Sequence, residues 1–179
     1  MLRGIIAARV VVIVSRRASP EALARQLLAA TGYLDTYRSR PRLDLPSLLE
    51  HYDLEWYRRP FDDLSGALLR VGGVYRVVTN ARHRLARQRF TAAHEFKHYL
   101  TDRHLSPGFA CRRYVDNRLE REANVFARDL LMPAEVLGWL WGQGYHAPEQ
   151  IGRALGVSAQ AVDIRMAELE IGPEKALWG

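Results

Sequence analysis

Arg89-Phe90-Thr91-Ala92-Ala93-His94-Glu95-Phe96-Lys97-His98-Tyr99-Leu100 lies near the middle of a 179-residue chain and decides how the rest is read. Its spacing predicts a helix from about Arg84 to Asp102, and inside it His94-Glu95-Phe96-Lys97-His98 is an H-E-x-x-H pattern. Residues four apart on a helix lie one above the other, so both imidazoles can reach a single metal ion. Glu95 follows His94 by one residue, about 100° round the helix. It therefore flanks the metal rather than ligating it, in position to take a proton from an attacking water.

Ahead of this helix the pattern is strand-like. Leu54 to Arg58, Gly66 to Val71 and Val74 to Thr79 are short β-prone runs, and the last two flank Gly72-Gly73, a dipeptide suited to a tight hairpin. A small antiparallel sheet is the expectation. Before it come a helix capped by Ser19, started by Pro20 and stopped at Gly32, and a second near Ser47 to Tyr52. After the central helix the chain reads as helical to its end: about Asp116 to Leu131, then Pro133 to Trp141, then two short helices about a Gly156-Val157-Ser158 turn. Strands first and helices afterwards argue an α+β fold. The domain reading is an arm or added strand at 1–18, a core at 19–144 and a helix-turn-helix-like module at 145–179.

Composition is that of a globular protein, with 48% hydrophobic and 26% charged residues. One cysteine, Cys111, excludes an internal disulfide framework and fits a reducing compartment. The apolar run Ile5 to Val14 is broken by Arg9 and falls far short of the ~20 residues of a membrane span. A cytoplasmic protein without membrane association is expected. The net charge is +6, but only Lys97 and Lys175 are lysines, and an arginine bias of this kind weakens the inference from basic charge to nucleic acid.

Two histidines do not complete a catalytic metal site. His104 follows His98 by six residues, the metzincin spacing, but Thr101 stands where that geometry needs a glycine. The other source is the next helix, with its apolar stripe Leu119, Ala123, Phe126 and Leu130. Glu120 and Glu122 project to opposite sides of that stripe, each about 70–90° from its centre at 100° per residue, so periodicity leaves both open.

The stretch Arg89 to Leu100, the segment Glu120 to Ala127 and Leu130-Leu131-Met132-Pro133 together resemble the ImmA/IrrE family of metallo-endopeptidases, over residues 20 to 170. Phe96-Lys97 departs from the Leu-Gly frequent in that family. The resemblance implies His94, His98 and Glu122 as metal ligands and Glu95 as catalytic base. It implies Zn²⁺ as cofactor, with Mn²⁺ or Fe²⁺ able to occupy the same site. The partner it implies is a protein substrate, a helix-turn-helix transcriptional repressor whose cleavage relieves repression. A toxin–antitoxin component would share the same core. A DNA-binding regulator with a structural metal is disfavoured by the intact Glu95, since a structural site needs no general base.

Remaining candidates are weaker. Tyr99 and Tyr114 are possible oxyanion donors, and His51, His83 and His146 lie in no motif. In the C-terminal module the second helix, Ala159 to Leu169, sets Arg165 alone against Asp163 and Glu168, and residues 145–179 are net −2. DNA readers depend on phosphate contacts. The expectation is that this module packs on the core or holds the protein substrate, and that the chain does not bind DNA.

Overall fold

The computed structural model describes residues 18–103 and 117–172. The arm expected at 1–18 lies, but for Ala18, outside the described residues, as do His104, Cys111 and Tyr114. Three helices come first: α1 (Pro20–Ala30), the single turn α2 (Tyr33–Thr36) and α3 (Leu45–His51). Ser19 caps α1 by accepting from the Ala22 amide, and Asp44 caps α3 by accepting from Ser47. Proline at the first or second position of both fixes the entry into the helix.

Strands β1 (Glu55–Arg59), β2 (Gly66–Val71) and β3 (Val74–Asn80) form one sheet in the order β1-β3-β2. Gly72 and Gly73, at φ 60° and 83°, make the hairpin between β2 and β3, which pair antiparallel with Val71 opposite Val74. β1 pairs with β3 in parallel, so the sheet is mixed, not antiparallel as expected. The cause is the 60–65 connection, which carries the chain past the end of β3 instead of folding β2 back on β1. Asn80, 2% exposed, holds that connection: its amide donates to the Phe61 and Leu64 carbonyls, and its side-chain oxygen accepts from the Phe61 and Arg82 amides.

Helix α4 (Leu85–Lys97) runs on into a π-helical turn, His98–Asp102, and is followed by α5 (Asn117–Leu131), α6 (Ala134–Gly142), α7 (Pro148–Leu155) and α8 (Ala159–Glu168). One apolar core spans these elements. Leu23, Leu27 and Leu28 of α1, Ala92, Ala93 and Phe96 of α4, and Phe126, Ala127 and Leu130 of α5 meet within it, and Ile151, Leu155 and Val162 of α7 and α8 belong to it. Among the described residues no helix is long and apolar enough to cross a membrane.

The last two helices are joined to the core by charge as well. Arg165 of α8 is buried and ion-pairs with Asp129 of α5, and its other nitrogen reaches Glu168 at 3.2 Å. Arg128 closes the cluster, 2.9 Å from both Asp129 and Glu168. Arg42 donates to the Arg153 and Ala154 carbonyls at the end of α7. The basic residue a DNA-reading helix would present is thus turned inward.

Candidate metal centre and active-site cleft

Helix α4 lies against β2 and β3 because Gly66 leaves it room. A Cβ at Gly66 would stand 2.5 Å from the Thr91 methyl and 2.7 Å from the Val78 carbonyl oxygen, inside contact distance for either. On its inner face Ala92, Ala93 and Phe96 are fully buried, with the Phe96 ring edge-on to Tyr52 and Phe126 at 5.2 and 6.1 Å. Packing of the inner face fixes the roll of the helix, and the roll aims the histidines at α5.

His94 and His98 bring their Nε2 atoms to 3.2 Å from one another. The Glu120 carboxylate faces both, with one oxygen 3.2 Å from His94 Nε2 and the other 3.2 Å from His98 Nε2. These three side chains are the cluster among the described residues that could hold a metal ion, their ligand atoms all lying within 4.8 Å of one another. Two nitrogens on a tetrahedral zinc, each about 2.0–2.1 Å from the metal, stand about 3.3 Å apart. The observed separation fits that geometry. The other ring nitrogens are engaged: His94 Nδ1 with the Asn124 side-chain oxygen at 3.0 Å, and His98 Nδ1 with Asp102 at 2.7 Å. With Nδ1–H donating in both rings, the Nε2 lone pairs are left for a cation.

Glu122, which the resemblance implies as third ligand, is elsewhere. Its carboxylate pairs with Lys97 Nζ at 3.1 Å and with Arg118 at 3.4 Å, and Glu120 occupies the position facing the histidines. The reason is geometric. At 100° per residue the two glutamates lie about 200° apart on α5, so only one can face the histidine row. The roll of α5 is set by burial of Ala123, Phe126, Ala127 and Leu130. With that face inward, Glu120 meets the histidines and Glu122 meets the buried ammonium of Lys97.

The charges around the cluster are mutually adjusted. Burial opposes protonation of His94, but the hydrogen bond with Glu120, the charges of Glu95 and Glu120 and the contact with Asn124 outweigh it and raise its pKa above the ordinary value. The hydrogen bond with His94 holds Glu120 below the usual carboxylate range despite partial burial, aided by the charges of both histidines. Burial pushes Asp102 up, yet hydrogen bonds from His98, Lys97 and Thr101 bring it below its ordinary value. Asp102 sits in the π-helical turn, a form common at functional sites.

A cleft of about 410 Å³ opens beside the cluster, walled by Leu64, Ser65 and Gly66 on the sheet side and by α4 and α5 on the other. His94, Glu95, Glu120 and Asn124 line it, with Phe90 and Arg87 farther along α4. Glu95, at 3% exposure, is therefore deep in the wall beside the histidines. Arg87 donates to the Ser65 hydroxyl at 2.9 Å. Tyr99 is turned away: its hydroxyl donates to the Tyr52 carbonyl at 2.8 Å, so it is no oxyanion donor in this arrangement.

Sequence reasoning missed Asn124, Asp102 and Lys97. Asn124 is four residues after Glu120 and Asp102 four after His98, so each shares a helix face with a ligand candidate; that periodicity was the available signal. A family model described as an IrrE N-terminal-like domain, peptidase M78, matches residues 49–167, about two thirds of the chain. No curated protein matches it. The matched span runs from α3 through α4 and α5, which carry the His94, His98 and Glu120 cluster, into α8, and the chain belongs to the IrrE N-terminal-like peptidase M78 family.

Proposed function

We propose that the protein is a zinc-dependent endopeptidase whose metal ligands are His94, His98 and Glu120 and whose general base is Glu95. The observation that carries this reading is the convergence of two Nε2 atoms and one carboxylate at 3.2 Å separations, beside Glu95, in a cleft at the start of a sheet-edge strand. Two imidazoles and a carboxylate with room for a further ligand suit Zn²⁺ best, and Mn²⁺ or Fe²⁺ fit the same donors. When bound, the metal supplies Lewis-acid polarisation of the scissile carbonyl and of water.

The chain's own residues do the rest. Glu95 accepts a proton from the attacking water and delivers it to the departing amine nitrogen. Asn124 and Asp102 hold the imidazoles in the tautomer that leaves Nε2 free. β2 ends the sheet on the cleft side, and its outer edge suits an extended substrate segment added as a strand. The substrate is a protein, and the resemblance points to a helix-turn-helix repressor cut to release its genes. The inward Arg165 disfavours the DNA-binding alternative.

The test is co-incubation with helix-turn-helix repressors from the same organism, with and without chelator, followed by mass spectrometry of fragments. Glu95→Gln should keep the metal and lose essentially all cleavage. Substantial turnover by Glu95→Gln would refute the mechanism even with zinc in place.

A further inference from the structure

Lys97 stands inside the metal-binding motif on the flank opposite Glu95. At 100° per residue the two lie about 80° to either side of the His94–His98 row. The Lys97 side chain is 4% exposed, and its ammonium donates to Asp102 Oδ2 at 3.0 Å and to Glu122 Oε2 at 3.1 Å. An ammonium buried this far needs counter-charge, and these two carboxylates supply it. Each leads to the metal cluster by one short step. Asp102 Oδ2 also accepts from His98 Nδ1 at 2.7 Å, and Glu122 sits two residues from Glu120 on α5. Lys97 is not in the wall of the cleft, so it has no contact with a substrate there.

We propose that Lys97 is a positioning residue that ties α4 to α5 and sets the ligand geometry of His98 and Glu120. The proposal rests on the metallopeptidase reading above. The ammonium and the His98 N–H share one oxygen of Asp102, so the lysine fixes where that carboxylate lies and how strongly it draws on the imidazole. Its second bond, to Glu122, ties this end of α4 to α5, whose buried face already turns Glu120 toward the histidines, and holds the two helices in register at the cluster. Without it, Asp102 is a buried carboxylate short of one donor, and Glu122 keeps only the solvent-exposed Arg118.

The experiment titrates the metal-free full chain with Zn²⁺ against a chromogenic chelator and records the visible spectrum with Co²⁺, for wild type, Lys97→Met, Glu122→Gln and the double variant. Circular dichroism reports folding in each. Lys97→Met should weaken Zn²⁺ binding about 10–100-fold, the range for lost outer partners of a metal ligand, and shift the Co²⁺ bands. Glu122→Gln, partly exposed and retaining the Lys97–Asp102 pair, should weaken binding several-fold, with no further effect once Lys97 is gone. Folded Lys97→Met with wild-type affinity and an unshifted Co²⁺ spectrum overturns the proposal. If Lys97→Met does not fold, unchanged affinity and spectrum in Glu122→Gln overturn it equally. Wild type that binds neither ion overturns the metallopeptidase reading itself, a result separable from failure of the lysine's role alone.

Discussion

Replacing Arg165 separates a module docked on the core from one that reads DNA. Its side chain is 7% exposed and pairs with Asp129, itself 14% exposed, while Glu168 at 39% is open to solvent on one side. Removing one partner of a fully buried pair costs about 3–5 kcal/mol. Here Asp129 keeps Arg128 at 2.9 Å, so the carboxylate is not stranded and the cost is smaller. The Glu168 contact adds little because solvent screens it. The stem of Arg165 also packs within the α8–α5 junction and is lost with the charge. Together these give about 2–3 kcal/mol for Arg165→Ala. At roughly 2–4 °C per kcal/mol for a chain of this size, Tm should fall by about 4–12 °C.

Thermal melting followed by circular dichroism measures the shift, and gel mobility at near-physiological salt asks whether a defined DNA fragment is bound. The expected pair of results is a clear drop in Tm and no DNA shift with either protein. A melting curve within a degree or two of wild type would mean that the Arg165–Asp129 contact does not hold the module. A DNA complex formed by wild type and abolished by Arg165→Ala would sink the docking argument altogether.

Further perturbations test the site. In the metal-free protein Glu120 is held low and His94 high. The Glu120 contribution is present above the ordinary carboxylate value of 4.5 and lost as pH falls through its lowered one, whereas the His94 contribution is full below 6.5 and lost as pH rises through its raised one. Glu120→Gln should therefore cost the most stability between those values and little well above the raised histidine pKa, so a wild-type-minus-variant difference in Tm that keeps growing toward alkaline pH contradicts the pairing. Gly66→Ala should cost about 1–3 kcal/mol by overpacking against Thr91 and the Val78 carbonyl, and reduce peptidase activity by displacing α4; an unchanged Tm would show that the sheet yields. Arg87 at the cleft end has no acidic partner among the described residues, so Arg87→Glu should lower kcat/KM for peptides acidic near the scissile bond and raise it for basic ones, and equal effects on both would remove Arg87 from substrate selection.

The fold was legible where the signal is local. Ser19 and Ser158 cap helices next to a proline or an apolar stripe, and Gly72-Gly73 makes its hairpin, because caps and turns are decided within four residues. The parallel pairing of β1 with β3 was not. It depends on β3 entering between two strands that precede it in the chain, and the Asn80 side chain that secures the crossing looks like any polar residue at a strand end.

The third ligand marks the same boundary at the site itself. H-E-x-x-H places two histidines and a base by helix geometry alone, but Glu120 and Glu122 are equivalent until the roll of α5 is known. That roll is set by burial against α1 and α4, a contact between segments about a hundred residues apart for α1. Charge constrains the pair further. Lys97, four percent exposed, faces inward beside the metal motif and requires an anion, and so does a divalent metal. Two carboxylates about 200° apart on one facing helix can satisfy both only by dividing the work, one to the metal and one to the lysine. Which goes to which then follows from α4: His94 and His98 present one row and Lys97 the flank beside it, so the α5 residue that lies over the histidines is the ligand candidate of the proposed site and the one displaced toward the lysine is its counter-ion. Glu120 and Glu122 occupy those two positions.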